Sequence, residues 1–277
     1  AIRCEMLERQ RLEAWAGAYP PVRTPKRVLV VMAGNIPLVG FFDLLCVLAS
    51  GHACRVKPSS KDTVLIGYVV DLLRTIDPAI PLRMAEQGER PDAVIATGSD
   101  NANRYFRMLF GGIPSLLRGS RQSIAVLSGR ETAAELSGLE EDIFSYSGLG
   151  CRNVSLLFLP RGYLPELRCT ALNEKYRRNY LRERALLRMR RMPFVDLDGA
   201  VLCEDRSFPA ALSCIHYTFY DSLADVEAWL AAHDDRLQCV VSQCVRHSRR
   251  IAFGRAQHPG LTDYADDVDT MRFLGTI

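Results

Sequence analysis

Between residues 27 and 110 the chain passes three times through one local pattern: a short apolar run, a small polar turn, then a helix-length segment. The apolar runs are 27–32 (RVLVVM), 52–57 (HACRVK) and 92–97 (DAVIAT). The segments that follow are 41–51 (FFDLLCVLASG), 63–76 (TVLIGYVVDLLRTI) and 101–110 (NANRYFRMLF). The first of these, 27–32, is a continuous apolar run that suits a strand buried on both faces, and the other two read as a second and a third strand. Their alternation with helices specifies βαβ units, a parallel sheet and right-handed crossovers. In such sheets the loops at the carboxyl ends of the strands hold ligands. Those loops are 33–40, 57–62 and 97–101, which carry the Gly, Asn, Ser and Lys residues suited to phosphate.

A second, less regular set follows. Residues 123–129 (SIAVLSG) read as a strand, 131–146 as a helix, and a Gly-rich turn leads to a strand ending at Pro160. Residues 165–191 read as a basic helix, 193–203 as extended chain, 214–222 as β-rich, 223–233 as a helix and 237–244 as a strand. Ahead of everything, 5–16 reads as an amphipathic helix with Met6, Leu7, Leu12 and Trp15 inward.

The length, 277 residues, suits one large or two ordinary domains. With 48% hydrophobic and 24% charged residues, a disordered chain, a collagen-like fibre and a coiled-coil rod are excluded. A net charge of +3 gives bulk electrostatics no preference for nucleic acid. Nine cysteines, an odd number without CxxC spacing, point to a reducing, cytoplasmic setting. Neither they nor the five histidines have metal-ligand spacing, so no metal is expected. The most apolar stretch, 28–48, is interrupted by Asn35, Pro37, Gly40 and Asp43 and fails as a membrane span. No signal peptide is expected, and the lack of an initiator Met points to residues upstream.

Cys151 follows Gly148-Leu149-Gly150, where glycines leave a thiol unshielded: a candidate nucleophile, or else a structural cysteine in a tight turn. Asn35, after the first strand, can donate to a developing oxyanion or simply form a turn. Lys57-Pro58-Ser59-Ser60 offers a cation for a phosphate or ribose, or a solvated lysine before a helix cap. Thr97-Gly98-Ser99 can seat a phosphate at a helix N-terminus or be a plain turn. GxGxxG and the P-loop pattern are both missing.

In that order, the blocks VMAGNIPLVGFFDLLCVLASGH (31–52), KPSSKD (57–62), ATGSDNANRYF (96–106), LLRGSRQSIAVLSGRET (116–132) and DIFSYSGLGCRNVSLLFLP (142–160) resemble the aldehyde dehydrogenase superfamily. They are most similar to its acyl-CoA reductase branch, the LuxC-like fatty acyl reductases. The resemblance covers most of 28–163 and returns weakly near 253–274. It implies an α/β fold with a Rossmann-like cofactor domain, placed at 1–146, and a smaller α/β catalytic domain, placed at 147–277. It implies that Cys151 takes the acyl group of an acyl-CoA or acyl-carrier substrate as a thioester. Asn35 and the Cys151 backbone N–H would form the oxyanion hole. Lys57, with Ser59 and Ser60, would hold the adenosine ribose or its phosphate, and Thr97, Gly98 and Ser99 the phosphate–nicotinamide end. Self-association is also implied.

Three departures refine this. No acid lies between Leu116 and Ser128, where aldehyde-oxidising members place a glutamate base that activates water. Its loss fits reduction of a thioester rather than hydrolysis. Ser60 stands where NAD-preferring members carry a glutamate, which suits NADPH. Asn103 replaces a usual glycine. The expectation is NADPH-dependent reduction of a fatty acyl-CoA to the aldehyde. The alternatives are a Cys151-dependent acyltransferase or thioesterase, and a non-catalytic protein using the basic stretch 174–191 on nucleic acid or a membrane.

Overall fold

A computed structural model describes residues 2–170 and 173–277, which form two compact units. The first unit holds 2–120 and 260–277; the second holds 121–259. Each is described by itself.

The first unit opens with helices α1 (Ile2–Met6) and α2 (Arg9–Gly17). The single helix expected over 5–16 is broken because Glu8 leaves helical geometry and caps α2, accepting the N–H groups of Gln10 and Arg11. Leu7 is consequently exposed. There follow β1 (Arg27–Val31), α3 (Phe41–Ala49), β2 (Ala53–Lys57), α4 (Thr63–Ile76), β3 (Leu82–Met84), β4 (Ala93–Thr97), α5 (Asp100–Phe110) and β5 (Ser115–Arg118). The strands form one parallel sheet ordered β3-β2-β1-β4-β5. β3 and β5 are the edges; each is too short to leave a distinct apolar run, and the sequence reading passes over both.

The order explains the unbroken apolar strands. Val28 and Val30 of β1 are fully buried in the core containing Leu44 and Ile66 from α3 and α4. Leu29 points the other way, into a cluster with Phe106 and Phe110 of α5. Both faces of β1 are therefore covered. The chain turns back at β1, whose two neighbours β2 and β4 are reached in opposite directions. The carboxyl ends of β1 and β4 flank this switch point, where doubly wound sheets bind ligands.

The second unit contains β6 (Gln122–Val126), α6 (Ala133–Phe144), β7 (Val154–Pro160), α7 (Glu174–Met189), β8 (Val195–Asp196), β9 (Val201–Glu204), β10 (Cys214–Tyr220), α8 (Leu223–Ala232), β11 (Leu237–Ser242) and β12 (Arg250–Ile251). Its sheet runs β12-β11-β6-β7-β10-β9-β8, parallel except for the β8–β9 pair. Leu157 and Leu159 of β7 pack into the core with α6, while Leu156 and Phe158 pack on the opposite face with α8. The expected helix over 165–191 is confined to Glu174–Met189, and part of the reading, residues 171 and 172, lies outside the described residues.

The units do not divide at 146/147. β6 pairs with β7 and β11, which carries residues from 121 onward into the second unit. The tail belongs to the first unit, through helix α9 (Thr270–Gly275), because its polar anchors lie there. Buried Arg118 at the end of β5 donates to both carboxylate oxygens of Asp43 (2.6 and 2.7 Å) and to the Thr270 hydroxyl (2.7 Å). His52 accepts the Lys26 N–H at Nδ1 (2.9 Å), so its Nε2–H donates to the Leu274 carbonyl (3.0 Å). Trp15 donates to the Tyr264 hydroxyl at 2.8 Å. Among the described residues no helix is long and apolar enough to cross a membrane.

Candidate active site

The loop that presents Cys151 begins where α6 ends. Tyr146 (φ 51°), Ser147 (φ 54°) and Gly148 (φ 64°) lie consecutively in the left-handed region. That conformation costs a non-glycine residue about 1–2 kcal/mol, so something must hold Tyr146 and Ser147 there. At 148 only glycine suits, since a Cβ would meet the Tyr176 ring at 3.3 Å on an already left-handed backbone.

The holder is Asn153, which is buried. Its Nδ2 donates to the carbonyls of Asp142, Ile143 and Ser145 at 3.1, 3.1 and 2.9 Å. These carbonyls belong to the end of α6 and the first residue beyond it, where the helix itself leaves acceptors unpaired. Its Oδ1 accepts the Gly150 N–H at 2.8 Å, and its own N–H donates to the Gly150 carbonyl at 3.1 Å. Residues 150–153 are thereby pinned to α6. From the other side, the Ser123 hydroxyl donates to the Cys151 carbonyl (2.8 Å) and accepts the Cys239 N–H (3.2 Å). The Cys151 backbone is fixed by β6 and β11 while the residue itself is exposed. A fixed backbone under an accessible thiol is the arrangement a nucleophile requires. Beside it, Leu149, Tyr176, Leu212 and Ile215, together with the polar Gln122 and Ser155, help line a cleft of about 320 Å³ with walls of mixed polarity.

Asp142 carries a second tie. Its buried carboxylate accepts the N–H groups of Gly254 (2.7 Å) and Ala256 (2.9 Å). Burial pushes its carboxyl up to about 6, against the opposing effect of those two N–H donors. A raised folded-state value means that the neutral form stabilises the fold. That stability is present below about pH 4 and is lost as the pH rises through about 6. Chemical denaturation between these limits is expected to show a decline on the order of 2–3 kcal/mol in the native chain that Asp142→Asn lacks. Parallel curves for the two proteins would remove this assignment.

In the first unit, the sheet brings together all the other candidates. Asn35 lies after β1, Lys57 ends β2 with Ser59 and Ser60 behind it, and Thr97 ends β4 with Gly98 and Ser99 behind it. β2 and β4 are the two neighbours of β1, so these loops share the carboxyl edge at the switch point. Gly34 allows the first two loops to touch: a Cβ there would lie 2.4 Å from the Ser59 side chain. The Asp62 carboxylate ties the same loops by accepting the N–H of Leu38 at 2.7 Å, a residue held at φ 56°. Sequence reasoning overlooked Asp62 as well as Asn153. Each is a short polar residue directly preceding a helix or strand, the signal by which it could be found.

These residues suit a phosphate-bearing dinucleotide. Asn35, Lys57, Ser60 and Ser99 are exposed along this edge. No carboxylate is present from Lys57 to Lys61, and the next one, Asp62, is buried in its bond to Leu38. Helix α3 follows Gly40 without a side-chain cap, its Phe41 N–H donating to the Leu38 carbonyl, whereas Ser99 caps α5 through the Ala102 N–H. Asn103, at the position where a glycine is usual, is buried inside α5 rather than presented on the edge. Among the described residues no group of three His, Cys, Asp or Glu could hold a metal.

No protein-family model matches the sequence, and no curated protein is significantly similar to it. Solved structures do match. The Mycobacterium tuberculosis aldehyde dehydrogenase complexed with NAD+ aligns at TM-score 0.57 and 17% identity, over 73% of this chain and 53% of its own. The substrate-bound state of Staphylococcus aureus AldH aligns at TM-score 0.57 and 17% identity, over 87% and 66%. The NAD+ complex of aldehyde dehydrogenase from Bacillus cereus aligns at TM-score 0.58 and 12% identity, over 84% and 61%. The chain has an aldehyde-dehydrogenase-like fold, and it spans less than two thirds of the length of these neighbours.

Proposed function

We propose that this chain is a nicotinamide-dependent oxidoreductase that reduces an acyl thioester, with a fatty acyl-CoA as the substrate class, to its aldehyde through Cys151. The observation that carries the reading is the exposed Cys151 on a backbone pinned by Ser123 and Asn153, in a chain with this fold. In the proposed reaction the Cys151 thiolate attacks the acyl carbonyl carbon. The new carbon–sulfur bond forms as the bond to coenzyme A breaks, and coenzyme A leaves as its thiolate and takes up a proton. The Cys151 N–H is a proposed donor to the oxyanion of that step, and the resemblance gives Asn35 the same role. A reduced nicotinamide, when bound, supplies the hydride that converts the thioester carbonyl to an aldehyde. The Cys151 thiolate is then released for the next turnover. The 116–128 segment, which is without acid, offers no carboxylate to activate water against the thioester. The cleft beside Leu149 and Leu212 is the proposed seat of the acyl group.

Lys57, Ser59 and Ser60 are the proposed ribose-phosphate contacts, and Thr97, Gly98 and Ser99 the proposed contacts to the rest of the dinucleotide. NADPH is the proposed cofactor, since Lys57 can pair with a 2′-phosphate and the segment 57–61 carries no carboxylate to repel it. Ser60→Glu is expected to weaken NADPH about tenfold or more while affecting NADH little. Equal losses for the two cofactors, read by titration, would remove the 2′-phosphate assignment.

The reading is tested by intact-protein mass after incubation with acyl-CoAs of graded length and no reductant. The expected result is an acyl adduct on Cys151 that disappears on adding NADPH. An adduct indifferent to NADPH would favour the acyltransferase or thioesterase alternative. No adduct with any acyl-CoA or acyl carrier protein would overturn the reading.

A further inference from the structure

The charge of this chain is concentrated in one place. Residues 173–192 carry eight basic and two acidic side chains, a local excess of six in a protein whose formal net charge is +3. The rest of the chain is therefore slightly acidic. Helix α7 fills most of this stretch and is anchored through its inner face: Tyr176, Tyr180 and Leu187 are buried, the Tyr180 hydroxyl donates to Asp196 (2.6 Å), and the Tyr176 carbonyl accepts from Ser213 (2.6 Å).

The outer face is not simply polar. Leu181 (49% exposed), Ala185 and Met189 (80% exposed) recur at every fourth position and so share one stripe. Met192, also 49% exposed, follows the helix end. At 100° per residue, with Leu181 at about 0° and Met189 at about 80°, Arg177 and Arg188 flank the stripe on one side and Arg182 on the other, while Arg178 lies on its N-terminal extension. The side chains of Arg178, Arg182 and Arg188 are 76%, 70% and 62% exposed. Nearby carboxylates are few: Glu174 pairs with Arg178, Glu183 lies 3.9 Å from Arg182, and Asp196 lies 4.0 Å from Arg188.

We propose that this face of α7 is a docking surface for an anionic lipid bilayer, on which the apolar stripe enters the headgroup boundary and the arginines meet lipid phosphates. An apolar stripe between two cationic rims is what an interfacial helix presents to such a surface. Nucleic acid would use the cations but gains nothing from Leu181 and Met189, and the aromatic side chains that could stack on bases, Tyr176 and Tyr180, are turned inward.

The test is flotation of the full chain with vesicles of about three parts phosphatidylcholine to one part phosphatidylglycerol, compared with phosphatidylcholine alone. The native chain is expected to float with the anionic vesicles and to be released as salt rises from about 50 to about 300 mM. At about fivefold per cation, the triple change Arg177→Gln, Arg182→Gln, Arg188→Gln should weaken partitioning about a hundredfold. Leu181→Ser with Met189→Ser should weaken it about tenfold or more at low salt. All these side chains are exposed, so thermal unfolding should be nearly unchanged and report that the variants are folded. The proposal is overturned if the native chain does not float, if it floats equally with phosphatidylcholine alone, or if the Leu181/Met189 variant partitions like the native chain. Binding to duplex DNA that survives the Leu181/Met189 change, without vesicle binding, would likewise overturn it and assign the cations to nucleic acid.

Discussion

Cys151→Ala is expected to abolish the acyl adduct and lower thioester reduction by about four orders of magnitude or more, the scale on which loss of a covalent nucleophile acts. NADPH binding should persist, because the proposed dinucleotide contacts belong to the other unit. Thermal stability should move little, since Cys151 is exposed and its held backbone groups remain. The eight other cysteines are the internal control. Cys46, Cys54 and Cys239 are buried, and burial pushes their thiols well up, to about 12 for Cys54 and about 11 for Cys239, so they stay protonated at neutral pH. An adduct that survives Cys151→Ala and maps to another cysteine would reassign the nucleophile.

The second large effect is at Asn153, where one side chain serves three carbonyls and one N–H. Asn153→Ala leaves these buried or half-buried groups without their partner. At about 1–3 kcal/mol for each buried group left unsatisfied, with partial relief from relaxation, the expected loss is about 3–5 kcal/mol. Asn153→Asp separates the two halves of the job. It keeps an acceptor for the Gly150 N–H but replaces the donor with an oxygen facing the carbonyls of Asp142, Ile143 and Ser145. It should be at least as destabilising at neutral pH as alanine. Denaturant unfolding measures both. In protein that remains folded, acylation of Cys151 should slow, because Tyr146 and Ser147 are no longer held left-handed. A change in stability of less than about 1 kcal/mol in both variants would show that water replaces the amide and that the loop is held otherwise.

Much of this was legible from residue order alone. The apolar runs of β1 and β4 reported strands covered on both sides, because burial on two faces removes polar alternation, whereas β2 keeps the alternation that its half-buried Arg55 and exposed Lys57 impose. The positions of Asn35, Lys57 and Thr97 at the carboxyl ends followed from that pattern, since Lys57 and Thr97 close their runs and Asn35 lies in the turn after the first. The edge strands β3 and β5 escaped, being three and four residues long and only partly covered. The division between the units also escaped. Strand β6 reads as the next member of the same series, and nothing local in SIAV tells which sheet it will join.

The sequence by itself determined a parallel α/β architecture, the loops that carry ligand-binding residue types and a glycine-flanked cysteine, because periodicity and turn chemistry act over a few residues. Only the tertiary structure decided that Arg118, 75 residues from Asp43 and 152 from Thr270, ties the tail to the first sheet. It alone showed that Ser123 and Asn153 hold the backbone of Cys151, and that the apolar stripe of α7 faces outward while its tyrosines face in. Hydrogen bonds and burial between segments far apart in the chain depend on which surfaces folding brings into contact, and no window of residue types encodes that contact.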